Sequence, residues 1–210
     1  MTSDADPKML DLTLFAERDD ALALAANGCP EVYTAIAKKH MGTQLTEGFL
    51  LFGSFVSRMR GLHEGIVREL AADNPHVVLP LLRAWVEVNT IGLYVARNPG
   101  YAGLVLYGPG DGRPARKSFS SLFHAVKDEA AQLSLVYEDL SDYAHFGTLG
   151  VWNAYAVGTE EDSHVTWTDV PRWKSEREFQ VACAQTHELS ILGQDVLDRL
   201  GEVLLPPREE

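Results

Sequence analysis

Apolar residues recur at three- and four-residue spacing along most of this chain, the period of a helix that buries one face. Over residues 46–72 the stripe Leu45, Phe49, Phe52, Val56, Met59, His63, Ile66 and Leu70 is continuous and predicts a long amphipathic helix. Residues 9–26 predict an earlier helix, ended by Asn27-Gly28-Cys29-Pro30, and residues 31–40 a short one. A central helix covers 81–95, opened by Pro75 or Pro80 and stopped by Asn98-Pro99-Gly100. Residues 107–116 are a loop rich in Gly and Pro, and a fourth long helix runs over 118–146 to Gly147. The pattern then changes to strand-like residues at 151–157 and 164–170, which predicts a β-hairpin insertion over 151–170. Ser175-Glu176-Arg177-Glu178 is a capping box that opens a last helix to about residue 204, before a loose tail at 205–210. The expected fold is therefore all-α in the main: one domain, 1–210, built as a bundle of five or six helices with one inserted hairpin.

The central helix breaks its own pattern. Arg83, Glu87, Thr90 and Tyr94 form a polar stripe on a segment otherwise made of Leu, Trp, Val, Ile and Gly. Arg83 and Glu87 are four apart, so their side chains can meet. Burying charge is costly unless it is paired. The later helix carries Tyr137, Ser141 and His145, also at four-residue steps, with small residues at 141 and 144. If the stripes face one another, Arg83 is placed to bind an anion and His145 to move a proton. The alternative is that the same cluster only fixes how two helices pack. Arg58 and His63 form a second candidate pair, at the R-x-x-x-x-H spacing of helical ribonucleases. Residues five apart on a straight helix point about 140° apart, which separates them.

At Leu140-Ser141-Asp142-Tyr143-Ala144-His145-Phe146-Gly147 the chain resembles HEPN-type helical domains, which carry an Arg, a polar residue, then a small residue and His near the end of a long helix. Asp142 and Ala144-His145 fit the polar and small-His parts; positions 138–141, Glu-Asp-Leu-Ser, lack the Arg. Arg83-x-x-x-Glu87 followed by Tyr137 and His145 also resembles uncharacterised bacterial helical families near HEPN. The resemblance covers residues 45–147 and implies a helical bundle, often a dimer, with RNA or a nucleotide as partner. In active members it implies metal-independent RNA cleavage, with the His in proton transfer and the Arg on the phosphate. Without the local Arg, that role falls to Arg83, or the chain is an inactive member.

Composition narrows the classes. A net charge of −12, from 30 acidic against 18 basic residues, argues against nonspecific nucleic-acid binding. Two distant cysteines, Cys29 and Cys183, give no disulfide framework and no metal pattern. His124, Asp128, Asp142 and His145 share one helix without the repeated ligand pairs of a dimetal bundle, so neither metal nor cofactor is expected. The acidic start, with no basic region before an apolar run, predicts a cytoplasmic protein, and no apolar run is expected to span a membrane. Trp152, Tyr155 and Trp167 are expected to cover the bundle. Two functions remain: an RNA- or nucleotide-directed HEPN-like protein of defence or toxin type, or a noncatalytic interaction protein that dimerises through the Phe49–His63 face.

Overall fold

The computed structural model describes residues 17–27, 29–40, 45–110, 112, 114–129, 131–145, 147, 151, 155–157, 165–167 and 169–205. Among these, the elements are α1 (Arg18–Ala26), α2 (Cys29–His40), α3 (Glu47–Ala71), α4 (Pro75–Arg97), α5 (Ala102–Tyr107), α6 (Phe119–Val126), α7 (Ala131–Ala144), β1 (Tyr155–Val157), β2 (Val165–Trp167) and α8 (Glu176–Leu204). The chain is mainly helical. Among the described residues eight α-helices exceed the five or six expected, because one expected helix is divided and a short one, α5, forms between the central helix and the 107–116 loop.

The boundaries follow local chemistry. Thr46 caps α3, its hydroxyl accepting from the Phe49 amide at 3.0 Å, and Ser175 caps α8 by accepting from the Glu178 amide at 3.2 Å. Helix α4 begins at Pro75, one of the two expected openings, and continues through Pro80. The expected helix over 118–146 breaks between α6 and α7. Arg97 and Arg199 both ion-pair with Glu129 in the intervening turn, and Arg97 donates to the Ala125 carbonyl at 2.7 Å. That caps the end of α6 and holds the turn against α4 and α8.

Helix α4 is central, with α3, α6, α7 and α8 packed around it. Trp85, Phe52, Met59, Ile66, Leu82 and Phe179 are among its fully buried companions and neighbours. Gly193 on α8 lies where any added methyl would collide with the Tyr33 hydroxyl, so α2 and α8 meet only because it has no side chain. The inner face of α3 is thus core: Phe52, Met59, His63, Ile66 and Leu70 are buried inside the bundle. The expected dimer face is therefore occupied intramolecularly, while Leu45, which precedes the helix, is 74% exposed.

By length and composition α4 is apolar enough to cross a membrane, a test that a bundle's core helix also passes, and half of its most apolar stretch is buried in the bundle. Strands β1 and β2 pair antiparallel, with Tyr155 opposite Trp167 and Val157 opposite Val165. Residues 158–164, Trp152, residues 9–16 of the expected first helix and residues 206–210 of the expected tail lie outside the described residues. Trp167 is 62% exposed instead of covering the bundle, and Leu205, placed in the loose tail by sequence, is buried against the core.

Candidate functional site

Helix α7 lies along α4, and the two predicted stripes meet there. Arg83 Nε donates to Ser141 Oγ at 3.1 Å, and Arg83 Nη2 donates to Tyr137 Oη at 3.0 Å. Arg83 Nη2 also pairs with Glu87 Oε1 at 2.9 Å, and Tyr137 Oη donates to the same oxygen at 3.1 Å. The guanidinium carbon stands 5.3 Å from the Tyr137 ring centroid, within cation–π range. Four of the predicted residues therefore form one hydrogen-bonded unit across two helices.

The unit is only half buried: the Arg83 and Glu87 side chains are 21% and 32% exposed. A fully sunk pair loses more hydration than its attraction returns, whereas a half-wet pair with added hydroxyl bonds does not. Among the described residues, neither Arg83 Nη1 nor Glu87 Oε2 is used in the unit. Each retains capacity for a ligand.

The remaining stripe residues go elsewhere. Thr90 is buried and donates to its own helix at the Val86 carbonyl, 2.8 Å away. Tyr94 is covered edge-on by Tyr101 at 5.0 Å. The stripe is geometrically continuous, but its cover changes from α7 to the segment after α4. His145 stands one turn past Ser141, just beyond α7, and is exposed. Its backbone amide donates to the Ser141 carbonyl at 3.0 Å, but its ring makes no hydrogen bond to Arg83 or Glu87 among the described residues. Asp142 lies against Gly147, whose amide donates to the Asp142 carbonyl at 2.8 Å.

Arg58 and His63 are not brought together. Arg58 is exposed on the outside of α3. His63 is buried, with Nε2 2.9 Å from the Ala25 carbonyl near the end of α1 and its ring edge-on to Trp85 at 5.7 Å. Burial pushes the His63 pKa down, opposed by the Ala25 bond. It is a neutral core histidine that donates from Nε2 to a carbonyl otherwise orphaned at a helix end. Cys183 is likewise an inert core thiol, buried and pushed up to about 12. No group of three or more potential metal ligands occurs among the described residues.

Sequence reasoning missed what lies beside the unit. A cavity of about 240 Å³ is lined by Glu87, Ile91, Tyr101, Val105, Arg116, Lys117, Phe119 and Leu122. Arg116 donates to the Val105 carbonyl at 3.1 Å, and the Lys117 amide donates to Tyr101 Oη at 3.1 Å. Phe119 packs on Tyr137 at 4.4 Å between centroids, joining cavity to unit. Gly108, Gly110 and Gly112 all have positive φ, which lets the loop turn back and bring Arg116-Lys117 over α4 and α5. The signal in the sequence was three alternate glycines ahead of two cations and a helix cap. The chain matches no family model, no curated protein and no solved structure at a significant level.

Proposed function

We propose that this is a cytoplasmic HEPN-like helical protein directed at RNA or a nucleotide, and that it binds its ligand without cutting it. One observation carries the reading: Arg83, Glu87, Tyr137 and Ser141 form a half-open unit bordering a cavity lined in part by Arg116 and Lys117, with His145 outside it. Metal-independent cleavage of the HEPN kind uses a histidine for proton transfer, and the His145 ring makes no hydrogen bond to Arg83 or Glu87 among the described residues. A hairpin insertion between α7 and α8 is read on the antiparallel pairing of β1 with β2; Val151, expected in its first strand, is instead helical, its amide donating to the Gly147 carbonyl at 2.9 Å.

The test is fluorescence anisotropy with a labelled single-stranded RNA. Binding should weaken in Lys117→Ala. With roughly two phosphates held, affinity should follow log salt with a slope of about −1.4. No binding by the wild-type protein at low salt would sink the reading.

A second reading has its own observation. The outer side of α3 forms a groove of about 760 Å³ lined by Phe49, Leu50, Gly53, Ser57, Arg58 and Gly61, among others. Gly53 and Gly61 flank Ser57 at four-residue steps and would let a second copy of α3 approach closely through the same patch. This homodimer would share Phe49 with the face expected from sequence and otherwise use the outer side of α3. Gly61→Leu meets nothing within 4 Å of its Cβ in the monomer, so it should leave the fold intact and break the dimer in light scattering. A wild-type protein that is monomeric at high concentration rules the dimer out.

A further inference from the structure

The cavity beside Glu87 has a definite chemistry. Its lining includes the Glu87 carboxylate, whose Oε1 already accepts from Arg83 and Tyr137, while Oε2 accepts nothing among the described residues. An ionised carboxylate only accepts, so a ligand reaching Oε2 must bring N–H or O–H donors and no lone pair beside them. Tyr101 and Phe119 line it with Ile91, Val105 and Leu122, which suit a flat body. Arg116 and Lys117 line it too, and the Lys117 ammonium has no ion pair or hydrogen bond among the described residues. A flat ligand with donors on one edge and an anion on the other fits this arrangement.

Among nucleobases only guanine places two donors side by side, N1–H and the N2 amine. Adenine and cytosine, whose amine sits beside a ring acceptor, and uracil, whose N–H is flanked by two carbonyls, bring the free Oε2 one donor where guanine brings two. Drug-sized pockets occupy roughly 300–1,000 Å³. A cavity of about 240 Å³ therefore admits one base and leaves its phosphate at the mouth. We propose that this cavity holds the base of a guanine nucleotide, with Glu87 accepting from its N–H edge, Phe119 and Tyr101 flanking its ring, and Lys117 and Arg116 meeting its phosphate. The proposal rests on the nucleotide-directed reading and names the base.

Isothermal titration of the full chain with 5′-GMP, 5′-AMP and inorganic phosphate tests it. A hydrogen bond to a charged group is worth about 1.5–3 kcal/mol, so GMP should bind at least about tenfold tighter than AMP. Glu87→Gln should abolish that preference. Because Glu87 also holds Arg83, a second variant is needed: Lys117→Ala touches no side chain of the unit and should weaken GMP and AMP alike, keeping their ratio. Equal affinity for GMP and AMP, or GMP no tighter than phosphate, overturns the assignment. If GMP is silent while single-stranded RNA still binds, guanine recognition fails and the RNA-directed reading stands. If both are silent, both fall.

Discussion

Helix α4 holds two polar contacts two residues apart, and they end differently. Trp85 turns inward onto His63, where everything is buried and the histidine is neutral with one bond to Ala25. Arg83 and Glu87 turn toward α7, where both charges are kept, stay part-wet and are joined by Tyr137 and Ser141. The difference teaches where charge survives in this bundle. It survives only where solvent still reaches it and several hydrogen bonds share it, because full burial costs several kcal/mol per ion. The closed contact is architecture, and the half-open one has capacity left for a ligand.

The largest expected effect lies on the closed side. Trp85→Ala should cost about 3–5 kcal/mol in urea unfolding, the range for deleting a large aromatic from a packed core. A loss under about 1 kcal/mol would mean this region is not the closed core described. On the open side, Arg83→Ala should cost about 1–3 kcal/mol, since it removes charge-assisted bonds that remain partly screened by solvent. Combining it with Tyr137→Phe should give less than the sum of the two single losses, as expected for members of one network. Strict additivity would show that the unit is not one network.

Acid separates the two contacts further. The folded-state pKa of His63 lies below its ordinary 6.5 because burial disfavours the charged form. Below about pH 6.5 the unfolded chain therefore takes a proton that the folded chain refuses, and stability falls as pH drops. The urea midpoint should decline between pH 7.5 and 5.5 in the wild-type protein, and less so in His63→Gln. Glu188, raised by its own burial, has the opposite sign and is common to both proteins, so it cancels in the comparison. Equal slopes would remove His63 from the account. The smallest effect is on the outer face of α3. Gly61→Ala should stabilise the monomer by about 0.5–1 kcal/mol, because an added Cβ meets nothing there and the helix loses less backbone freedom.

Much of this was legible in the sequence. The α3 periodicity, the Ser175 cap and the two stripes, Arg83 with Glu87 and Tyr137 with Ser141, follow from spacing alone, because a helix fixes which residues share a face; that the stripes meet does not. Spacing also separated Arg58 from His63. It failed where tertiary contacts decide. Nothing local shows that Arg97 and Arg199 would clamp Glu129 and divide the expected helix over 118–146. The α3 stripe was visible, but not that α4 and α8 would cover it. His145 shares the helical spacing of Tyr137 and Ser141, yet it falls just past the end of α7, where the face no longer rests on α4. The cavity cations were hidden because Arg116 and Lys117 reach it only through a backbone reversal at Gly108, Gly110 and Gly112.

The central claim is that the open contact binds and does not cut. Incubating a labelled single-stranded RNA with the wild-type protein and with His145→Ala, then resolving the products on a denaturing gel, tests it most directly. The account predicts intact RNA in both lanes and equal retention of RNA by both proteins in a native gel. Cleavage by the wild-type protein that disappears in a folded His145→Ala would contradict it.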